Sequence, residues 1–304
     1  MNRLITFIIV GFFAQLVDGA LGMAYGVTSS SLLLLFGIAP AIASASVHMS
    51  EVVTTAASGV SHIRFGNVDK KTVLRLILPG SIGAFVGACF LSNLPGELVK
   101  PYVAMFLFLL GAYVLFRFSF VRFKQNMNLS NRTPSKKLLV PLGFIAGFAD
   151  STGGGGWGPL ATPVLMARTE LEPRKVVGSV DTSEFAIAFS ATLGFLISLG
   201  WEQFHWEWVL ALMIGGVIAA PIAAWLVRLI PAPILGVLVG GLIIMTNLKT
   251  LFSVFSISSS NIQNYTYSLF GVVWLVAGFY TILRYRKYRK QVLDEEQKSH
   301  PTNG

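Results

Sequence analysis

From Leu229 to Asn247 the chain runs without a single charged residue, and Val103 to Phe116 does the same. A helix crosses a bilayer core about 30 Å thick with about 20 mainly apolar residues, so runs of this kind point to membrane spans. Only 12% of the 304 residues are charged, against about 25% in an average soluble domain. With 54% hydrophobic residues and a mean hydropathy of +0.67, a water-soluble fold is excluded. The one cysteine, Cys89, excludes an intramolecular disulfide and any multi-cysteine metal site.

Seven stretches are apolar and long enough to cross: Ala41 to His62, Val73 to Leu94, Leu98 to Phe118, Lys175 to Leu199, Glu207 to Ile230, Ile234 to Val254 and Thr266 to Leu283. Two more, Leu4 to Ile38 and Leu138 to Ala167, are each interrupted by an aspartate and a glycine-rich run. The arms flanking each break are about 16 to 24 Å long at helical rise, short of the hydrocarbon core. Each pair is therefore expected to form a re-entrant helical hairpin with its tip inside the membrane, two short tilted spans being the alternative.

The net charge of +9 is a topology signal. With the tail Arg284, Arg286, Lys287, Arg289 and Lys290 in the cytoplasm, 20 of the 23 basic residues fall inside, leaving Arg3, Lys100 and Lys249 outside. The expected N-terminus is extracytoplasmic, and no nucleic-acid partner is implied. The N-terminal segment has the look of a signal peptide, but its pattern returns in mid-chain, so no cleavage is expected.

That return is a repeat. A shift of 132 lays Gly11 on Gly143, Asp18 on Asp150, Gly22 on Gly154, Tyr25 on Trp157 and Gly26 on Gly158. A shift of 133 lays Pro40 on Pro173 and Glu51 on Glu184, and a shift of 136 lays Gly80 on Gly216. The division expected is a first repeat over 1–118, a cytoplasmic basic linker over 119–137, a second repeat over 138–254, and a last helix with a basic tail over 255–304. A hairpin plus three spans is an odd number of crossings, so the second copy is expected upside down. The expected fold is an all-α polytopic membrane protein of two inverted-topology repeats, an architecture recurrent in secondary transporters.

The aspartate before a glycine cluster in both halves, Phe148-Ala149-Asp150-Ser151-Thr152-Gly153-Gly154-Gly155-Gly156-Trp157-Gly158 and Asp18-Gly19-Ala20-Leu21-Gly22, resembles the sulfite exporter TauE/SafE family over residues 4 to 254. The resemblance implies a bacterial inner-membrane permease for sulfur oxyanions or organosulfonates, not an enzyme, and no cofactor. The first cluster departs from the family's run of glycines.

Several residues are candidates for transport. A helix restarting near Met23 and near Trp157 offers unpaired N–H groups and a partial positive charge. Gly153, Gly154, Gly155 and Gly156 are expected to let an oxyanion approach that backbone, with Gly19 and Gly22 in the first copy and Tyr25 and Trp157 beside them. Tight helix crossing is the competing role for the glycines. Asp18 and Asp150 stand where a side chain caps the restarted helix, and an ionisable residue at that depth is also a functional candidate. Glu51 and Glu184 lie near the midplane, with His48 and Asp181 one turn earlier on the same face. A charged glutamate there costs several kcal/mol unless paired, so a proton relay or substrate gate competes with neutral interhelical hydrogen bonding. His48 and Glu51 supply only two metal ligands, too few for a site on sequence grounds.

No lysine or arginine lies near the midplane, which keeps a cation substrate and a passive channel open beside a small anion with proton coupling. An intramembrane aspartyl hydrolase wants Gly-x-Gly-Asp, and Gly147-Phe148-Ala149-Asp150 lacks the second glycine.

Overall fold

The computed structural model describes residues 2–120, 133–166, 171–226 and 232–299. Among them lie eleven α-helices, one 3-10 turn at Trp201–Gln203 and no strand. The first half comprises α1 (Asn2–Leu21), α2 (Tyr25–Leu35), α3 (Pro40–Arg64), α4 (Lys70–Ser92) and α5 (Gly96–Phe120). The second comprises α6 (Lys136–Gly153), α7 (Trp157–Met166), α8 (Pro173–Leu199), α9 (Trp206–Leu226) and α10 (Ala232–Val254), followed by α11 (Ser260–Ser299). Local chemistry sets several of these ends. Pro40 and Pro173 open α3 and α8, where a missing N–H has no consequence. The Asp69 side chain caps α4 by accepting from the Thr72 backbone N–H at 2.8 Å.

Two expectations about the spans are corrected. The first arm is not short. The helix continues past Asp18 to Leu21, and its 20 residues reach about 30 Å, so α1 is long and apolar enough to cross alone. The second long arm, α6, has 18 residues, whereas α2 and α7 have only 11 and 10. Each interrupted unit is thus a long helix followed by a half-helix. The second correction concerns Ala41 to His62. Among the described residues seven helices are long and apolar enough to cross, and α3 is not one of them. Its Ser44, Ser46, His48, Ser50, Glu51, Thr54, Thr55 and Ser58 are all buried, because α3 turns this polar face to its neighbours and packs mainly against α8 and α9. Most of the basic linker expected over 119–137, and Arg168 and Arg228, lie outside the described residues.

The principal contacts are α1 on α9, α6 on α4, α3 on α9, α8 on α4, α3 on α8 and α5 on α10. Exchanging the two halves, α1 for α6 through α5 for α10, turns each contact into another on the same list or into itself. Close approach is made possible by glycine. A side chain at Gly147 would strike the Gly80 carbonyl between α6 and α4, and one at Gly11 would strike the Leu212 carbonyl between α1 and α9. The last helix stands at the rim, with almost none of its apolar stretch buried. It is held by Trp274, whose indole N–H donates to the Val237 carbonyl at 2.9 Å, and by Arg284, which donates to the Ser119 carbonyl at 2.7 Å. Its outward Leu269, Val272, Leu275, Val276 and Phe279 are exposed, as a lipid-facing surface requires.

Candidate functional site

The two chain breaks meet in the protein interior. After α1 the backbone turns through Gly22 at φ +68° and Ala24 at φ +140°, and after α6 through Gly154 at φ +71° and Gly155 at φ +151°. Both half-helices start with N–H groups that have no partner within their own helix. The aspartates expected there reach across the breaks to supply one. Asp18 Oδ1 accepts from the Tyr25 N–H at 3.3 Å, and Asp150 Oδ1 accepts from Gly156 and Trp157 at 2.7 and 3.0 Å. Each carboxyl group sits in the last turn of one helix and caps the next, its accepting oxygen set at the positive end of the dipole.

The tips also hold each other. Ser30 donates to the Gly154 carbonyl, and Thr162 donates to the Gly22 carbonyl at 2.6 Å. Ser30 and Thr162 are themselves 132 residues apart, so the two bonds are one interaction made twice. A Cβ on Gly155 would fall on the Val27 backbone, and one on Gly158 would fall 2.5 Å from the Gly22 carbonyl and Met23 Cα. Gly153 faces the Phe106 ring, Gly156 the Asp150 backbone and Gly19 the Ala223 methyl, which would lie 2.7 Å from a Cβ at Gly19. The rings of Tyr25 and Trp157 are completely buried. The Tyr25 hydroxyl pairs with Ser50 Oγ at 3.0 Å, and Trp157 Nε1 donates to the Val180 carbonyl at 3.1 Å with its ring against Gly80.

Beside the tips lie two clusters of ionisable side chains, and each draws on both halves. In the first, His48 Nε2 stands 3.0 Å from Asp150 Oδ2 and 3.9 Å from Glu51 Oε2. In the second, Asp18, Asp181 and Glu184 each bring a carboxylate oxygen within 4.8 Å of the other two. All six residues are buried, at 4% exposure or less, and no lysine or arginine is among the buried described residues. Glu51 lies eleven residues beyond Pro40 and Glu184 eleven beyond Pro173, a depth of about 16 Å in each helix. Both Glu51 oxygens, both Asp181 oxygens, Asp18 Oδ2 and Glu184 Oε2 accept no hydrogen bond from the described residues. Sequence reasoning missed His62, whose Nε2 stands 3.8 Å from Asp181 Oδ2. It lies 14 residues past His48, nearly four turns on, and so on nearly the same face. Ser30 and Thr162 were missed as well, although the repeat alignment pairs them.

Mirrored breaks closed by aspartates and glycines are the motif that carries the resemblance, and comparison with known sequences decides it. The model of the family described as sulfite exporter TauE/SafE matches residues 7–250. The chain belongs to the sulfite exporter TauE/SafE family. It is 60% identical over 282 residues, 93% of each chain, to a Bacillus subtilis (strain 168) protein named "Probable membrane transporter protein YtnM". It is 28% identical over 232 residues, covering 75% of this chain and 92% of the other, to "Probable membrane transporter protein YdhB" of the same organism. No solved structure matches it. With this family membership and its apolar helices, this TauE/SafE protein is a multi-pass membrane transporter.

Proposed function

We propose that the protein is a secondary transporter of a small anion, a sulfur oxyanion or organosulfonate, working by alternating access between two inverted repeats and coupled to protons through Glu51 and Glu184. The observation that carries the reading is the pair of buried clusters. Five carboxyls, Asp18, Glu51, Asp150, Asp181 and Glu184, share the interior with His48 and His62 and with no buried lysine or arginine among the described residues. Such a set is accommodated in a low dielectric only by taking up protons or pairing with cations. An oxyanion entering beside an ionised carboxylate is repelled, whereas beside a protonated one it meets a hydrogen-bond donor, so binding and protonation favour each other. The exchange of contacts between halves supports two states related by rocking one repeat against the other.

One observation favours a cation cargo as a second reading: Asp18 and Asp150 already occupy the amide ends that an anion would seek. The test is uptake into proteoliposomes of sulfite, sulfoacetate, taurine, sulfate and simple carboxylates, with and without a pH gradient. Glutamine keeps the size of glutamate but does not titrate. Glu51→Gln and Glu184→Gln are expected to bind substrate at equilibrium and to lose uptake driven by a pH jump. Unchanged pH-driven uptake in both variants removes proton coupling, and uptake of none of the anions removes the anion reading.

A further inference from the structure

Beyond transport itself, the geometry points to a divalent transition-metal site formed by His48, Glu51 and Asp150, in which the ion and a proton compete for Glu51. The hydrogens of His48 fix the argument. Nδ1 faces the Ser44 carbonyl at 2.8 Å, and a carbonyl only accepts, so Nδ1 carries the ring hydrogen. Nε2 of the neutral ring then presents a lone pair, and 3.0 Å away Asp150 Oδ2 presents another. Two lone pairs at that distance repel unless a positive species lies between them, and that species is a proton or a metal ion. An ion about 2.0–2.1 Å from a histidine nitrogen and a carboxylate oxygen is compatible with a 3.0 Å gap between the two ligand atoms.

The remaining parts are those of a metal site. Glu51 supplies a third ligand. Both of its oxygens lack a hydrogen-bond partner among the described residues at 1% exposure, and one lies 3.9 Å from His48 Nε2. The three ligand atoms lie within 4.8 Å of one another, and about 3.3 Å separates ligands around a tetrahedral zinc, so a rotation of the flexible Glu51 side chain closes the set. Outer partners hold the other two ligands in place. A metal-bound histidine commonly donates its second N–H to a carbonyl, as His48 does to Ser44. The Gly156 and Trp157 amides hold Asp150 through Oδ1 and leave Oδ2 facing the cluster. One nitrogen with two carboxylates is a donor set for zinc, cobalt or manganese rather than for an all-oxygen ion. The cluster of Asp18, Asp181 and Glu184 is the contrast, since Asp181 stands where the first copy has His48.

The inference stands on ligand geometry and not on cargo, so it is read by binding rather than transport. Full-length protein in detergent is stripped with a chelator, titrated with cobalt and followed by visible absorption. Zinc retained after desalting is counted separately. Expected are one ion per chain, cobalt absorption of a four- or five-coordinate nitrogen and oxygen site, and affinity at least about tenfold lower in His48→Ala and in Glu51→Gln, because loss of an outer partner alone has that effect. His205→Gln, which removes an exposed histidine far along the chain, is expected to change nothing. No ion retained by the unaltered protein overturns the assignment whatever the variants do. Equal binding in both cluster variants, or loss of binding in His205→Gln, overturns it too.

Discussion

At the scale of the residue, the two breaks are not equally relaxed. The alignment lays Ala24 on Gly156, yet Ala24 holds φ +140°, a region open to glycine and strained for a residue with a Cβ. Such a residue is destabilising by about 1–3 kcal/mol, partly offset by the lower chain entropy of alanine when unfolded. Ala24→Gly is therefore expected to raise stability by about 1 kcal/mol, read as a higher midpoint of thermal unfolding in detergent. Gly155→Ala is expected to do the opposite, lowering stability by about 1–3 kcal/mol, because its Cβ lands on the Val27 backbone and neither half-helix can retreat without breaking the other contact. An unchanged midpoint in Gly155→Ala would mean that the tips do not touch. Glycine at 153–156 was legible as something helices avoid; that the hollows at Gly154 and Gly155 are filled by Ser30 and Val27 of the opposite tip was not, because no local pattern encodes a neighbour so far along the chain.

At the scale of the element, the two half-helices behave as a single part assembled from two places in the chain. Ser30 and Thr162 tie them reciprocally. Ser30→Ala and Thr162→Val are each expected to lose about 1 kcal/mol, as for a typical buried hydrogen bond. Because both bonds restrain the same pair of tips, the double variant is expected to depart from the sum of the singles, and a double-mutant cycle on unfolding midpoints measures it. Strict additivity would show the tips to be independent. The helices themselves were largely readable, since lipid imposes an apolar exterior and the spans expected from Val73, Leu98, Lys175 and Ile234 onward start within a few residues of α4, α5, α8 and α10. The exceptions have one cause. The stretch Ala41 to His62 is expected as an apolar span, yet its helix carries a polar face that packs against α8 and α9. A break is expected where polar residues begin, yet α1 runs past Asp18 because that carboxylate serves the next helix.

At the scale of the whole molecule, the placement of charge leads to a test of orientation. In a Cys89→Ala background, a cysteine at Asn2 is expected to react with an impermeant reagent only from outside the cell and one at Lys287 only from the cytoplasm, following the distribution of basic residues. Labelling of Asn2 from the cytoplasm alone would remove the inverted arrangement with it. Residues of the candidate site could be named singly from sequence, but their grouping could not. The repeat pairs Asp18 with Asp150 and Glu51 with Glu184, whereas the fold puts Asp150 beside Glu51 and Asp18 beside Glu184, so that each cluster joins the halves. Asp150 spans two tasks with two oxygens: one fastens the start of α7, and the other faces His48. A carboxylate has one charge to share between them. Whatever draws electron density toward the second oxygen weakens the grip of the first, so an ion or proton taken up by the cluster would be linked to the seating of the half-helix, and a chemical event at one atom would be felt at the start of a helix.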